Sequence, residues 1–190
     1  MAQIKTKAEK PFITTKELTL IGVMTAVTCV MGPFAIPIPF SPVPISLTNL
    51  AVYLTVYVLG MKFGTISYVV YLCLGAVGLP VFSAFSGGLG KLAGPTGGYL
   101  VGFIFLALIA GFFIERFPSS LPMAVLGMVL GTAVCYLFGT VWLSRQLSLS
   151  FTAGLAAGVI PYIPGDIIKI IIAALLGTKL RAAVKKIGLH

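Results

Sequence analysis

IPYIPGDIIKIIIAALL, residues 160–176, is an apolar run that carries one acid and one base three residues apart, just behind two prolines. Proline is tolerated in the first turn of a helix, where its missing N–H would have no intrahelical partner. A helix is therefore expected to start near Pro164. An i,i+3 spacing puts Asp166 and Lys169 on one face of it. Thirteen residues at about 1.5 Å each place Asp166 roughly 20 Å from Lys179, the first of the bases that close the run. In a membrane-spanning helix the pair would then lie in the half of the bilayer far from those bases. Each such charge costs about 2.5–3.5 kcal/mol at the centre of a spanning helix, so the pair marks a candidate functional site. The plainer alternative is a salt bridge that only pins the helix.

Outward from this run the chain keeps the same character. Its 190 residues are 58% hydrophobic and 9% charged, whereas soluble domains are about 25% charged. An ordinary cytosolic enzyme and a disordered protein are excluded. So is a disulfide scaffold: Cys29, Cys73 and Cys135 are scattered among apolar residues and read as small core residues. His190, the single histidine, is terminal, so no metal site is expected and no cofactor is implied. A net charge of +9 could suggest nucleic acid, but the bases sit at the ends of apolar runs, which points to a membrane surface instead.

Hydropathy predicts an all-α membrane protein of six transmembrane helices forming one integral membrane domain over residues 1–190. Residues 1–16 form an N-terminal segment, and about 18–186 the six-helix core. The expected helices cover about Leu18–Gly32, Leu47–Met61, Phe63–Leu79, Pro95–Ile114, Leu121–Leu143 and a sixth from Pro164, with a shorter segment at Leu149–Ile160. The first continues into the proline-rich stretch Gly32–Ser46. Nothing marks the N-terminal run as a removable signal peptide. With a cytoplasmic N-terminus, Lys5, Lys7, Lys10, Lys16, Lys62, Arg116, Lys179, Arg181, Lys185 and Lys186 fall inside. Only Lys91 and Arg145 fall outside, and Lys169 lies within the membrane. That asymmetry predicts both termini in the cytoplasm. No internal repeat of the kind carriers use is visible.

Three further features stand out. GPTGGYLVGF (residues 94–103) opens the fourth helix. Thr96 can cap or donate a hydroxyl there, and Gly97 and Gly98 permit close approach of a ligand or of a neighbouring helix. VFSAFSGGLGKLAG (residues 81–94), with Ser83 and Lys91, reads as a lid or as a plain connector. Asn49 is the single asparagine, suited to helix packing or to a ligand. On the first helix Gly22 and Ala26 form a small-xxx-small face suited to packing against another helix.

PVPISLTNLAVYL (residues 42–54), GLPVF (residues 78–82), GPTGGYLVGF and PGDIIK (residues 164–169), in that order on this hydropathy profile, resemble the BioY family. These are the biotin-specific S components of energy-coupling factor (ECF) vitamin transporters. The resemblance implies a subunit in a prokaryotic cell membrane that captures biotin from outside in an outer-half pocket. It also implies delivery inward together with a T component and two cytoplasmic ATPase subunits, the T component docking at Gly22 and Ala26. In such a pocket Asp166 could accept from the ureido N–H groups, and Lys169 or the backbone of Thr96–Gly98 could meet an oxygen. Tyr99, Phe85, Phe40 and Val81 could cover the ring system, and Lys91 could meet the carboxylate. The rival readings are an S component for another water-soluble vitamin and, further off, an intramembrane enzyme. The enzyme would need paired acids or a metal cluster that the sequence does not offer.

Overall fold

The structure is a computed structural model and describes residues 13–39 and 41–186. Phe40 and the lysines at 5, 7 and 10 lie outside those residues. Helix α1 (Thr15–Met31) opens with a capping box: Glu17 N donates to Thr14 Oγ1, and Thr14 N donates to Glu17 Oε2. It stops at Gly32, beside Pro33. The proline-rich stretch that follows does not prolong the helix, as hydropathy suggested. Instead it folds into an antiparallel hairpin, β1 (Ala35–Ile38) and β2 (Ser41–Ser46), so the fold is not purely helical. Pro37, Pro42 and Pro44 are compatible with strands here because a two-stranded ribbon consists entirely of edges.

Helix α2 (Thr48–Ala76) reverses direction at Gly60, where φ is +75°. A side chain there would be strained by the backbone and would also run into the Glu115 carboxylate. Glu115 Oε1 accepts from Met61 N at 2.9 Å, capping the second arm. The two arms pack closely enough that a Cβ on Gly64 would lie 2.9 Å from Val56 Cγ1. One residue thus makes the turn that the sequence pattern placed at Lys62. A short helix α3 (Leu89–Ala93) lies within the glycine-rich segment. Then come α4 (Gly97–Arg116), α5 (Leu121–Gln146), α6 (Phe151–Gly158), a 3-10 turn at Ile160–Tyr162, and α7 (Ile163–Lys186). Counting the two arms of α2, the described residues form six long helical segments. Among the described residues four stretches are long and apolar enough to cross a membrane: Thr48–Ala76, Gly97–Arg116, Leu121–Gln146 and Phe151–Lys186.

The burial pattern is that of a membrane protein. Tyr53, Tyr68 and Tyr71 are fully buried, while Leu137, Ile171 and Leu175 stand outside. Tyrosine hydroxyls inside find internal partners: Tyr68 donates to Leu100 O at 2.7 Å and Tyr71 to Val81 O at 2.9 Å. The bundle also has two distinct ends. At the Gly60 end Arg181 Nη1 donates to Ile114 O at 2.7 Å, and Ile21 of α1 packs with Val58, Leu59 and Val184. Lys16, Lys62, Arg116, Lys179, Arg181, Lys185 and Lys186 gather there. Lys91 and Arg145 lie toward the hairpin end, where Trp142 Nε1 donates to Gly94 O at 2.9 Å.

Candidate functional site

The first three turns of α7 point Asp166, Lys169, Ile170 and Ala173 inward and Ile167, Ile168 and Ile171 outward. Ile168 is 58% exposed, while Asp166 and Lys169 are each 8% exposed. The ionised pair therefore faces the protein interior and not lipid. Lys169 Nζ lies 3.0 Å from Asp166 Oδ1. The same oxygen accepts from Asn49 Nδ2 at 2.8 Å, and Oδ2 accepts from the Tyr136 hydroxyl. Lys169 also donates to Ser46 O, the last residue of β2, at 2.7 Å. Four elements thus meet on one carboxylate and one ammonium. Asp166 lies in the first helical turn, where the helix dipole favours negative charge.

These groups line a cavity beneath the hairpin. Val43, Pro44 and Ser46 roof it, and Asn49, Thr96, Tyr99, Thr132, Cys135 and Tyr136 form much of its wall. The roof is fastened on one side: Tyr162 hydroxyl donates to Val43 O, and Ser41 Oγ donates to Ala157 O at 2.7 Å. On the other side Ala84 N donates to Pro33 O at 3.0 Å, and the Phe34 and Phe85 rings meet edge to face. Tyr99 is held by its hydroxyl bond to Gly158 O at 3.0 Å. Tyr53 OH pairs with Thr132 Oγ1 behind the wall. The result is an apolar pocket whose formal charges cancel, with strong donors and acceptors concentrated at one point. Such a site suits a small neutral polar group and provides no nucleophile–base pair.

Of the residues singled out from sequence, Asp166, Lys169, Asn49, Thr96, Tyr99 and Ser83 line this cavity. Gly97 and Gly98 do not. A Cβ on Gly97 would strike Leu92 O, and one on Gly98 would strike Trp142, so both serve close packing. Val81 is half-buried against the core with its carbonyl taken by Tyr71, and Phe85 is exposed on the stack with Phe34. Lys91 sits half-buried in α3 away from the cavity lining, and Phe40 is outside the described residues. Cys135 is buried and lines the cavity, Cys29 is half-buried, and Cys73 is exposed rather than a core residue. Sequence reasoning missed Tyr136, Thr132, Ser46 and Tyr162. The spacing of Thr132 and Tyr136, four apart in an apolar helix, was the available signal for two of them. Among the described residues no cluster of three metal-ligating side chains occurs.

Residues 4–186 match the BioY family. The chain belongs to the BioY family. It is 38% identical over 166 residues to the biotin transporter BioY of Thermotoga maritima, covering 87% of this chain and 96% of that protein. It is 37% identical over 174 residues to the biotin transporter BioY of Rhizobium etli, covering 87% and 92%. Among solved structures, it superposes on the S component for biotin from an ECF-type ABC transporter with a TM-score of 0.82. That match has 33% identity and covers 88% of this chain and 91% of that one.

Proposed function

We propose that this BioY-family chain is the biotin-capturing S component of an ECF vitamin transporter, a transport protein and not an enzyme. The observation that carries the reading is the buried Asp166–Lys169 pair aimed into the apolar cavity beneath the hairpin. Biotin presents two ureido N–H donors and a carbonyl acceptor on an apolar bicycle. Asp166 Oδ2 has a lone pair left beyond the one Tyr136 uses, and Lys169 and Asn49 are placed to donate to a carbonyl. An analogue lacking one of these groups would strand a buried partner, which is the physical origin of selectivity. Tyr99 and Phe103 supply flat apolar surface for the rings.

The six helical segments span the cell membrane, with the base-rich Gly60 end in the cytoplasm and the hairpin end outside. Both termini are then cytoplasmic, and the cavity opens toward the exterior. The chain has no nucleotide-binding motif, so energy for uphill transport comes from a T component with two ATPase subunits. Gly22 and Ala26 are exposed on α1, and a Cβ at Gly22 would meet nothing within 4 Å, which leaves that face open for the T component. The test is titration of the purified chain in detergent with biotin, followed by calorimetry. One-to-one saturable binding is expected. Folded protein that shows none, or that saturates with a different water-soluble vitamin instead, overturns the assignment.

A further inference from the structure

The Gly60 end holds a second cavity, of about 210 Å³, where the end of α4, the connection to α5 and the last turns of α7 meet. Its polar lining is rich in donors. Arg181 and Lys185 bring two positive charges, Tyr57, Ser119 and Ser120 bring hydroxyls, and among the described residues no carboxylate lines it. Among the described residues, two of these donors are buried without any partner: the Tyr57 hydroxyl and Arg181 Nε. Buried polar groups are nearly always satisfied, so an unserved pair in one place calls for an acceptor.

Neither group is free to turn elsewhere. Tyr57 is 3% exposed, and its ring lies where a Cβ on Gly177 would be. Arg181 is anchored through Nη1 to Ile114 O. Ser120 accepts from Met123 N and keeps its own hydroxyl hydrogen to give. A guanidinium, an ammonium and hydroxyls converging on one hollow match a tetrahedral oxyanion, whose oxygens accept charge-assisted hydrogen bonds from several directions. A carboxylate offers fewer acceptor positions and would leave some of these donors unserved. We propose that this cavity binds a phosphate group, carried either by an anionic phospholipid headgroup or by a free phosphate ion. The site is independent of whatever occupies the cavity under the hairpin.

The full chain in neutral detergent would be mixed with phosphatidylglycerol or phosphatidylcholine and examined by native mass spectrometry, with melting temperature followed against added inorganic phosphate. Retention of phosphatidylglycerol is expected to exceed that of phosphatidylcholine by about fivefold, and Tyr57→Phe and Lys185→Gln should each remove most of that preference. Lys179→Gln makes the same charge change at an exposed position outside the cavity and should leave it intact. Tyr57→Phe deletes a single oxygen and leaves the Arg181 anchor alone, so folding is retained. Lipid that millimolar phosphate displaces identifies the free ion as an occupant; lipid held against phosphate identifies the headgroup. A phosphate-dependent rise in melting temperature that Tyr57→Phe abolishes supports the site even without lipid preference. Equal retention of both lipids with no phosphate-dependent shift overturns the proposal. So does a loss in Lys179→Gln equal to that in the two cavity variants.

Discussion

Asp166→Asn tests whether the ion pair organises the cavity. The substitution keeps the shape and removes the charge. Lys169, 8% exposed, would keep its bond to Ser46 O, but among the described residues no other acid lines the cavity to replace the one lost. Breaking a buried pair from one side costs about 3–5 kcal/mol, because the remaining charge is left uncompensated. At about 2–4 °C per kcal/mol for a chain of this size, the melting temperature should fall by roughly 6–20 °C. Fluorescence of Trp142, the single tryptophan, reports unfolding in detergent. The double variant Asp166→Asn, Lys169→Met removes the stranded ammonium and should recover much of that loss, since an apolar replacement of a buried pair is often neutral. Biotin affinity should fall at least tenfold in both, about 1.4 kcal/mol. A single variant as stable as the parent, or a double variant no better than the single, would refute the reasoning.

Gly139→Ala drives a methyl into the Tyr99 ring, which lines the cavity. Overpacking costs about 1–3 kcal/mol, so both melting temperature and biotin affinity should drop, as unfolding and titration would measure. Gly22→Leu fills space that is empty in this chain, so stability and biotin binding should be unchanged while co-purification of ATPase subunits with the tagged chain is lost. Burial pushes the Lys91 ammonium below its ordinary value of 10.5. Between the lowered value and 10.5 the unfolded chain binds more protons than the folded one, so stability should rise with pH across that window. Melting temperature followed against pH should show that slope in the parent and lose it in Lys91→Gln; identical slopes would discount the effect.

Much of the site was legible because membrane helices penalise misplaced charge. The isoleucines around Asp166 and Lys169 dictate which face meets lipid, and the i,i+3 spacing then commits both charges inward. The hairpin was not legible. Its prolines argue against strands in any sheet with an interior, and a ribbon with two edges escapes that rule. Val81, Phe85 and Lys91 belong to the segment expected as a lid and were assigned to the pocket through the family resemblance, whereas the chain path carries them to the outer surface or into other packing. Tyr136 was overlooked because an aromatic inside an apolar run counts toward hydropathy while its hydroxyl does the work. Gly97 and Gly98 show the converse: at a helix start where the sequence allowed either a guest or a neighbour to come close, Leu92 and Trp142 leave no room for a side chain.

Lys169 divides its hydrogen bonds between the carboxylate that organises the pocket and the last residue of the roofing strand. The ammonium keeps a third N–H for a guest, so cargo and roof hang from one nitrogen that each helps to hold in place. Whatever pries up the hairpin therefore shifts the donor that grips the cargo, and by reciprocity bound cargo holds the hairpin down.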